Sequence, residues 1–233
     1  MRVFIVHAHH EPTSFNGSLT RTAASVLEEG GHSVRISDLH AMGFDPVSDR
    51  RNFTTVADST RLKQQVEEEH ASAVGGYVEG LQAEMDKLVW CDVLILQFPL
   101  WWMGMPAIMK GWIDRVLAVG RAYGGGRYYS RGVFRGKRAM CSVTVGGSAV
   151  MYSERGAYGP IERALLPIHH GILGFVGFSV LEPFVVYGPA RLSEHERLAR
   201  LQSYRARVLA LETAPIILGL DLAEYDGLIR RPA

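Results

Sequence analysis

Cysteine is scarce: only Cys91 and Cys141 occur in 233 residues. Both stand in apolar, strand-like contexts and form no CxxC pair or zinc spacing, which excludes a disulfide scaffold and makes a reduced setting the default. An excess of one charge is also lacking. Lys and Arg number 25 against 24 Asp and Glu, so no basic field argues for nucleic acid and no acidic field for docking to a basic partner. Long hydrophobic runs are missing: the longest, near 171–181, is about half the ~20 residues a membrane helix needs. The amino terminus, Met1-Arg2-Val3-Phe4-Ile5-Val6, starts as a strand, without the charged, apolar and cleavage segments of an export signal. A cytoplasmic protein, bound neither to nucleic acid nor into a membrane, is expected. No repeat, low-complexity tract or clear linker appears. No GxGxxG follows a strand, and Gly124-Gly125-Gly126 comes after a helix and loop, so it reads as a turn rather than a dinucleotide fingerprint.

What is present is a regular alternation. Apolar or alternating runs at 3–6, 33–39, 93–98, 138–144 and 179–187 read as strands. Between them, Leu19, Ala23, Val26 and Leu27 mark one helix, and Leu81, Met85, Leu88 and Val89 another. Ile108, Trp112, Ile113 and Val116 mark a third; 161–173 reads as helical despite Pro167. A last helix over 194–211 carries Leu198, Leu201, Tyr204 and Val208 as its expected buried stripe. Residues 43–60 read as irregular and 61–70 as a charged stretch. Alternation of this kind gives an α/β protein, a doubly wound parallel sheet with helices on both faces. Ligand loops after the first, third and fourth of five strands point to a flavodoxin-like order. The expectation is a single domain over 1–233, with a short apolar tail from about 213 that packs across a partner.

Chemistry gathers at strand ends. The third strand runs into Gln97-Phe98-Pro99-Leu100-Trp101-Trp102-Met103-Gly104-Met105-Pro106, then straight into a helix. Ligands bind outside the carboxyl ends of such strands, and exposed indoles there suit a planar ring; ordinary core packing of Trp101 and Trp102 is the competing reading. After the first strand, His9 to Ser18 place hydroxyls and an amide before a helix start, where free N–H groups and the dipole favour phosphate; helix capping by Ser14 or Asn16 accounts for the same residues. The histidines lack further ligands at metal spacing, so no metal is expected. Thr144-Val145-Gly146-Gly147-Ser148 would let backbone N–H groups approach a ring edge, or is a plain turn. Tyr123, Tyr128, Tyr129, Tyr152 and Tyr158 fall in the loops flanking that strand, where phenols can donate to developing negative charge or simply pack.

Together these residues resemble the NAD(P)H:quinone oxidoreductase family of the DT-diaphorase type, which has a flavodoxin-like fold. The resemblance spans 2–211 and rests on Thr13-Ser14-Phe15-Asn16, Phe98-Pro99-Leu100, Pro106-Ala107-Ile108, Lys110-Gly111-Trp112, Gly146-Gly147-Ser148 and Leu181-Glu182-Pro183. It implies a homodimer with the active site at its interface and FAD as cofactor, with FMN as the alternative. NAD(P)H and a quinone would use one site in turn, by a two-electron ping-pong hydride relay. By position, His9, Thr13, Phe15, Asn16 and Ser18 would hold the phosphates and ribityl chain. Pro99, Leu100, Trp102 and Met103 would line the isoalloxazine edge, and Thr144, Gly146, Gly147 and Tyr152 its polar rim. Arg197 and Leu201 would meet the adenosine end, while Tyr123, Tyr128 and Phe175 would close the substrate pocket. Tyr152 and Tyr158 would be catalytic. Tyr158 stands where the family has a histidine, Gly125 where it has a pocket tyrosine, and Met103 where it has another aromatic; the long carboxyl-terminal extension of the animal enzymes is missing. A one-electron flavodoxin carrier, a flavin-binding regulatory subunit of a cation-efflux system, and a reductase of azo, nitro or specialised-metabolite quinone compounds are the alternatives.

Overall fold

A computed structural model describes residues 1–226 and 228–231. Its centre is a parallel sheet. Strands β1 (Arg2–His7), β2 (Ser33–Asp38), β3 (Val93–Pro99) and β4 (Arg138–Val145) stand in the order β2-β1-β3-β4. β1 pairs with β2 on one side and β3 on the other, both in parallel. A strand flanked this way and covered on both faces is largely apolar, and all seven residues of β3 are buried, Gln97 among them.

The helices divide the core in two. α1 (Phe15–Glu29) and α6 (Glu194–Leu209) pack on the face carrying Val3, Ile5, Val93 and Ile95, where Leu19, Leu27 and Tyr204 complete the cluster. α3 (Glu79–Trp90), α4 (Ala107–Val116) and α5 (Ile161–Ile168) pack on the other, against Phe4, Val6, Leu94 and Leu96. Neighbouring residues of β1 and β3 thus serve opposite layers, as the period of two requires.

The fifth strand differs from expectation. It is broken at Glu182-Pro183 into β5 (Ser179–Leu181), on the first part of β4, and β6 (Phe184–Tyr187), on its last part. Proline cannot donate to a ladder, so pairing lapses there. The tail returns to its own sheet: β7 (Ile216–Leu218) adds antiparallel to β5. β8 (Tyr225–Asp226) and β9 (Ile229–Arg230) form a separate small ribbon. The charged stretch at 61–70 contributes a helix, α2 (Gln64–Val74), that the apolar pattern does not reveal. The helix of 161–173 ends at Ile168 and widens into a π turn over His169–Gly174. Leu198, expected in the buried stripe of α6, is exposed. Among the described residues no helix is long and apolar enough to cross a membrane.

Candidate flavin site

The carboxyl ends of β1, β3 and β4 open side by side. The loop after β1 is shaped by local hydrogen bonds. The Glu11 carboxylate accepts from the Thr13 amide at 2.8 Å and its hydroxyl at 2.6 Å; the hydroxyl bond, first of all, holds that carboxyl below its ordinary range. The Glu11 amide donates to His9 Nδ1 at 3.0 Å, so the neutral ring carries its proton on Nε2. Burial, reinforced by neighbouring His10, lowers the His9 pKa and favours that neutral form. Ser14 caps α1 by accepting from the Gly17 amide at 3.1 Å. The Phe15 and Asn16 amides lie in the turn whose N–H groups have no intrahelical acceptor. Gly17 is required: a Cβ there would lie 2.3 Å from the Pro12 carbonyl oxygen. Arg21 braces the same turn, donating to the Pro12 carbonyl at 2.7 Å and to Ser18 Oγ at 3.1 Å.

A buried chain of amides ties this loop to the sheet. Asn16 Nδ2 donates to Thr144 Oγ1 at 2.8 Å, and Gln97 Nε2 donates to Asn16 Oδ1 at 2.9 Å. One residue from each of α1, β3 and β4 is thereby held in register.

Nine of the residues expected to bind the cofactor line one cavity of about 450 Å³: His9, Thr13, Phe15, Asn16, Ser18, Pro99, Thr144, Arg197 and Leu201. Ser14, Pro189 and Ala190 complete its wall. A second cavity of about 310 Å³ shares Pro99, Thr144, Pro189 and Ala190 with the first and adds Leu100, Trp101, Gly146 and Arg191. The pair forms one elongated trough. Hydroxyls, a helix amino end and Arg197 line one stretch; aromatic and backbone groups line the other. This donor set fits a flavin nucleotide: the hydroxyls and helix amino end would suit phosphate, and the stretch with Leu100 and Gly146 would suit a planar ring.

Other expected residues sit at the rim. Trp101 and Gly104 exchange backbone hydrogen bonds at 3.0 Å, closing a tight turn. Its central residues, Trp102 and Met103, have φ of 51° and 58°. Two consecutive positive φ values are the preference of Asn-Gly, so bulky residues there carry strain, a mark of functional loops. The turn throws the Trp102 indole fully into solvent. Gly147 accommodates tyrosines: a Cβ would come within 2.9 Å of the Tyr152 ring and 3.2 Å of the Tyr158 ring. Those two rings lie 5.2 Å apart. Burial first, then the facing Tyr158, raises the Tyr152 pKa, so it stays a neutral donor.

The tyrosines form two groups, contrary to the single cluster expected. Tyr152 and Tyr158 join Tyr187 beside β4. Tyr123, Tyr128 and Tyr129 instead surround Phe175, with Tyr128 stacked on it at 6.0 Å. Tyr123 and Phe175 line a further cavity of about 550 Å³ that shares no residue with the trough. The expected substrate-pocket residues thus come together with one another, but not with the trough of their own chain. Gln97 stands in the strand-end segment with no role read from sequence, and Pro189, Ala190 and Arg191 escaped the sequence reading. The last three occupy a Gly-Pro-Ala-Arg turn with no motif of its own.

Neither cysteine serves the site: burial pushes the Cys91 thiol up to about 11 and the Cys141 thiol up to about 12. Among the described residues no group of three or more His, Cys, Asp or Glu could hold a metal.

A doubly wound sheet with such a trough outside its strand ends defines an α/β protein with a candidate ligand site where such sheets bind their ligands. Residues 1–211 match the family model for the flavodoxin-like fold. A ribosyldihydronicotinamide dehydrogenase-like protein of Penicillium crustosum is 43% identical over 225 residues, covering 93% of this chain and 83% of that protein. The NAD(P)H dehydrogenase [quinone] 1 of Rattus norvegicus is 41% identical over 208 residues, 89% of this chain and 76% of its own length. A Klebsiella pneumoniae protein, designated a candidate quinone reductase, superposes with a TM-score of 0.95 at 39% identity, covering 100% of this chain and 94% of that one. The chain therefore belongs to the NAD(P)H:quinone oxidoreductase family, within the flavodoxin-like fold.

Proposed function

We propose that this protein is a cytoplasmic, flavin-dependent NAD(P)H:quinone oxidoreductase that binds FAD and works as a homodimer. The observation that carries the reading is the trough, in which nine expected cofactor residues from separate parts of the chain share one wall. FAD bound there would relay a hydride, two electrons at a time, from a reduced nicotinamide to a quinone in a ping-pong sequence. The chain's own contribution is to bind, orient and donate. His9, Thr13, Ser18 and the start of α1 would hold phosphate and ribityl oxygens. Asn16, fixed by Gln97, would keep Thr144 and the following glycines in place. Tyr152 and Tyr158 would present phenolic O–H groups toward charge developing on a ring edge. The relatives' names include both NAD(P)H and ribosyldihydronicotinamide as donors, and both belong in the assay.

Incompleteness of the single-chain site supports the dimer. Trp101, Trp102, Met103, Val150 and Met151 are large apolar side chains exposed around the rim, an arrangement that marks an association surface. A second copy would bring its Tyr123, Tyr128 and Phe175 over the trough and enclose the acceptor.

The test is anaerobic stopped-flow absorbance. The yellow band of the bound flavin should bleach on mixing with a reduced nicotinamide and recover on mixing with a quinone, without a ternary complex. A band that fails to bleach with either donor would refute the proposed reaction.

A further inference from the structure

We propose that Arg191 supplies the positive charge that stabilises the reduced flavin, a task left open by the tyrosine at 158. The inference rests on the flavin reading above and deepens it. Hydride transfer adds two electrons and one proton to the ring. One net negative charge then remains on its polar edge unless a second proton follows. A cation facing that edge favours the reduced state, and the charge beside the ring is a main lever by which a protein sets flavin chemistry.

The two tyrosines themselves offer none. Tyr152 and Tyr158 can donate hydrogen bonds but cannot carry positive charge. Arg191 approaches the same loop from the carboxyl end of the neighbouring parallel strand β6. It follows β6 in the turn of Pro189–Arg191, after Gly188, whose φ of 56° turns the chain back toward β4. The Gly188 amide bonds the Val145 carbonyl at 2.7 Å, anchoring that turn to the end of β4. The guanidinium donates to the Gly146 carbonyl at 2.5 Å. It lines the ring-side cavity with Leu100, Trp101, Thr144 and Gly146. Among the described residues no carboxylate lies within ion-pair distance of it. A guanidinium has five N–H donors in a rigid fork, so the Gly146 bond positions it and leaves donors for the ring's oxygen and nitrogen edge.

The experiment is spectroelectrochemical titration of the FAD-loaded wild type, Arg191→Gln and Arg191→Lys. Flavin occupancy is measured first on each. Arg191→Gln should keep its flavin and show a midpoint potential about 30 mV lower, a tenfold loss in preference for the reduced state of a two-electron couple. Arg191→Lys should recover at least half of that shift. An unchanged potential in fully loaded Arg191→Gln would overturn the proposal. So would loss of flavin from that variant with wild-type potential in the fraction retained, which would make Arg191 a binding residue for both redox states. A wild type that takes up no flavin fails at an earlier point and counts against the flavin reading instead.

Discussion

At the scale of the residue, the trough is built from side chains whose neighbours allow few alternatives. His9 is held as one tautomer by the Glu11 amide, and Asn16 is held from both sides by Gln97 and Thr144. The Tyr152–Tyr158 pair is the sharpest test of the chemistry. Tyr152→Phe combined with Tyr158→Phe removes two O–H donors while keeping the rings that pack on Gly147. Flavin reduction should slow by about 10²-fold, the scale of losing one preorganised donor, with flavin content unchanged. Stopped-flow traces that match wild type would remove the pair from the mechanism. Much of this site was legible because its residues follow strands directly and keep motif spacing, as at 13–18 and 144–147. Arg191 was not, because 45 residues separate it from Gly146 and only the pairing of β6 with β4 brings them together. The division of the tyrosines was also hidden: sequence proximity to β4 says nothing about which side of the sheet end a loop reaches.

At the scale of the element, the strands and most helices could be read from periodicity, and the exceptions have local causes. α2 has no broad apolar stripe, because its inward side chains are Glu67, Glu68 and the small Ala71. Glu67 accepts from the Ala57 and Asp58 amides, and Glu68 from the Val119 amide. This helix ties down loops with carboxylates, which hydropathy patterns count as exposed. The fifth strand breaks where Pro183 cannot donate. α5 gives way to a π turn just after Pro167, whose missing amide weakens the regular ladder.

Two predictions belong here. α6 starts with a reciprocal capping box between Ser193 and Glu196 and carries Arg197 and Leu201 to the trough. Ser193→Ala should cost about 1 kcal/mol in chemical denaturation and weaken FAD binding more than FMN binding, since only FAD extends to the adenosine end. Equal effects on both would separate α6 from the adenosine.

The π turn buries His169, and burial lowers its pKa to about 4. A histidine whose folded pKa lies below the unfolded value of about 6.5 binds its proton more readily in the unfolded chain. Stability from keeping it neutral is complete above that unfolded value and is lost as pH falls toward 4. The slope is about 1.4 kcal/mol per pH unit for one such group. Its Nε2 lacks a hydrogen-bond partner, so His169→Leu should flatten the decline seen in denaturation at pH 7 and pH 5. An undiminished decline would assign it to other groups.

At the scale of the whole molecule, the fold closes its own sheet, and in the proposed dimer a second copy would close the site. Strand β7 of the tail pairs back onto β5, so in the proposed dimer the exposed rim, rather than this strand, would meet the partner. Sedimentation of the holoprotein should give a dimer, and Val150→Glu, at an exposed rim residue with no part in the trough, should shift it toward monomer with loss of quinone turnover but little loss of flavin. A wild-type monomer with full turnover would show that one chain completes the pocket alone. The sheet order could be read in the sequence because each crossover is local in the chain. The proposed second copy came only from the family resemblance, because no periodicity distinguishes an apolar side chain facing its own core from one facing another molecule.

All of these expectations depend on the occupant of the trough, which a visible spectrum and chromatography of the heat-released ligand identify directly. The purified protein, as isolated or after incubation with FAD, should show the flavin bands and release about one FAD per chain. A colourless protein that takes up neither FAD nor FMN would contradict it.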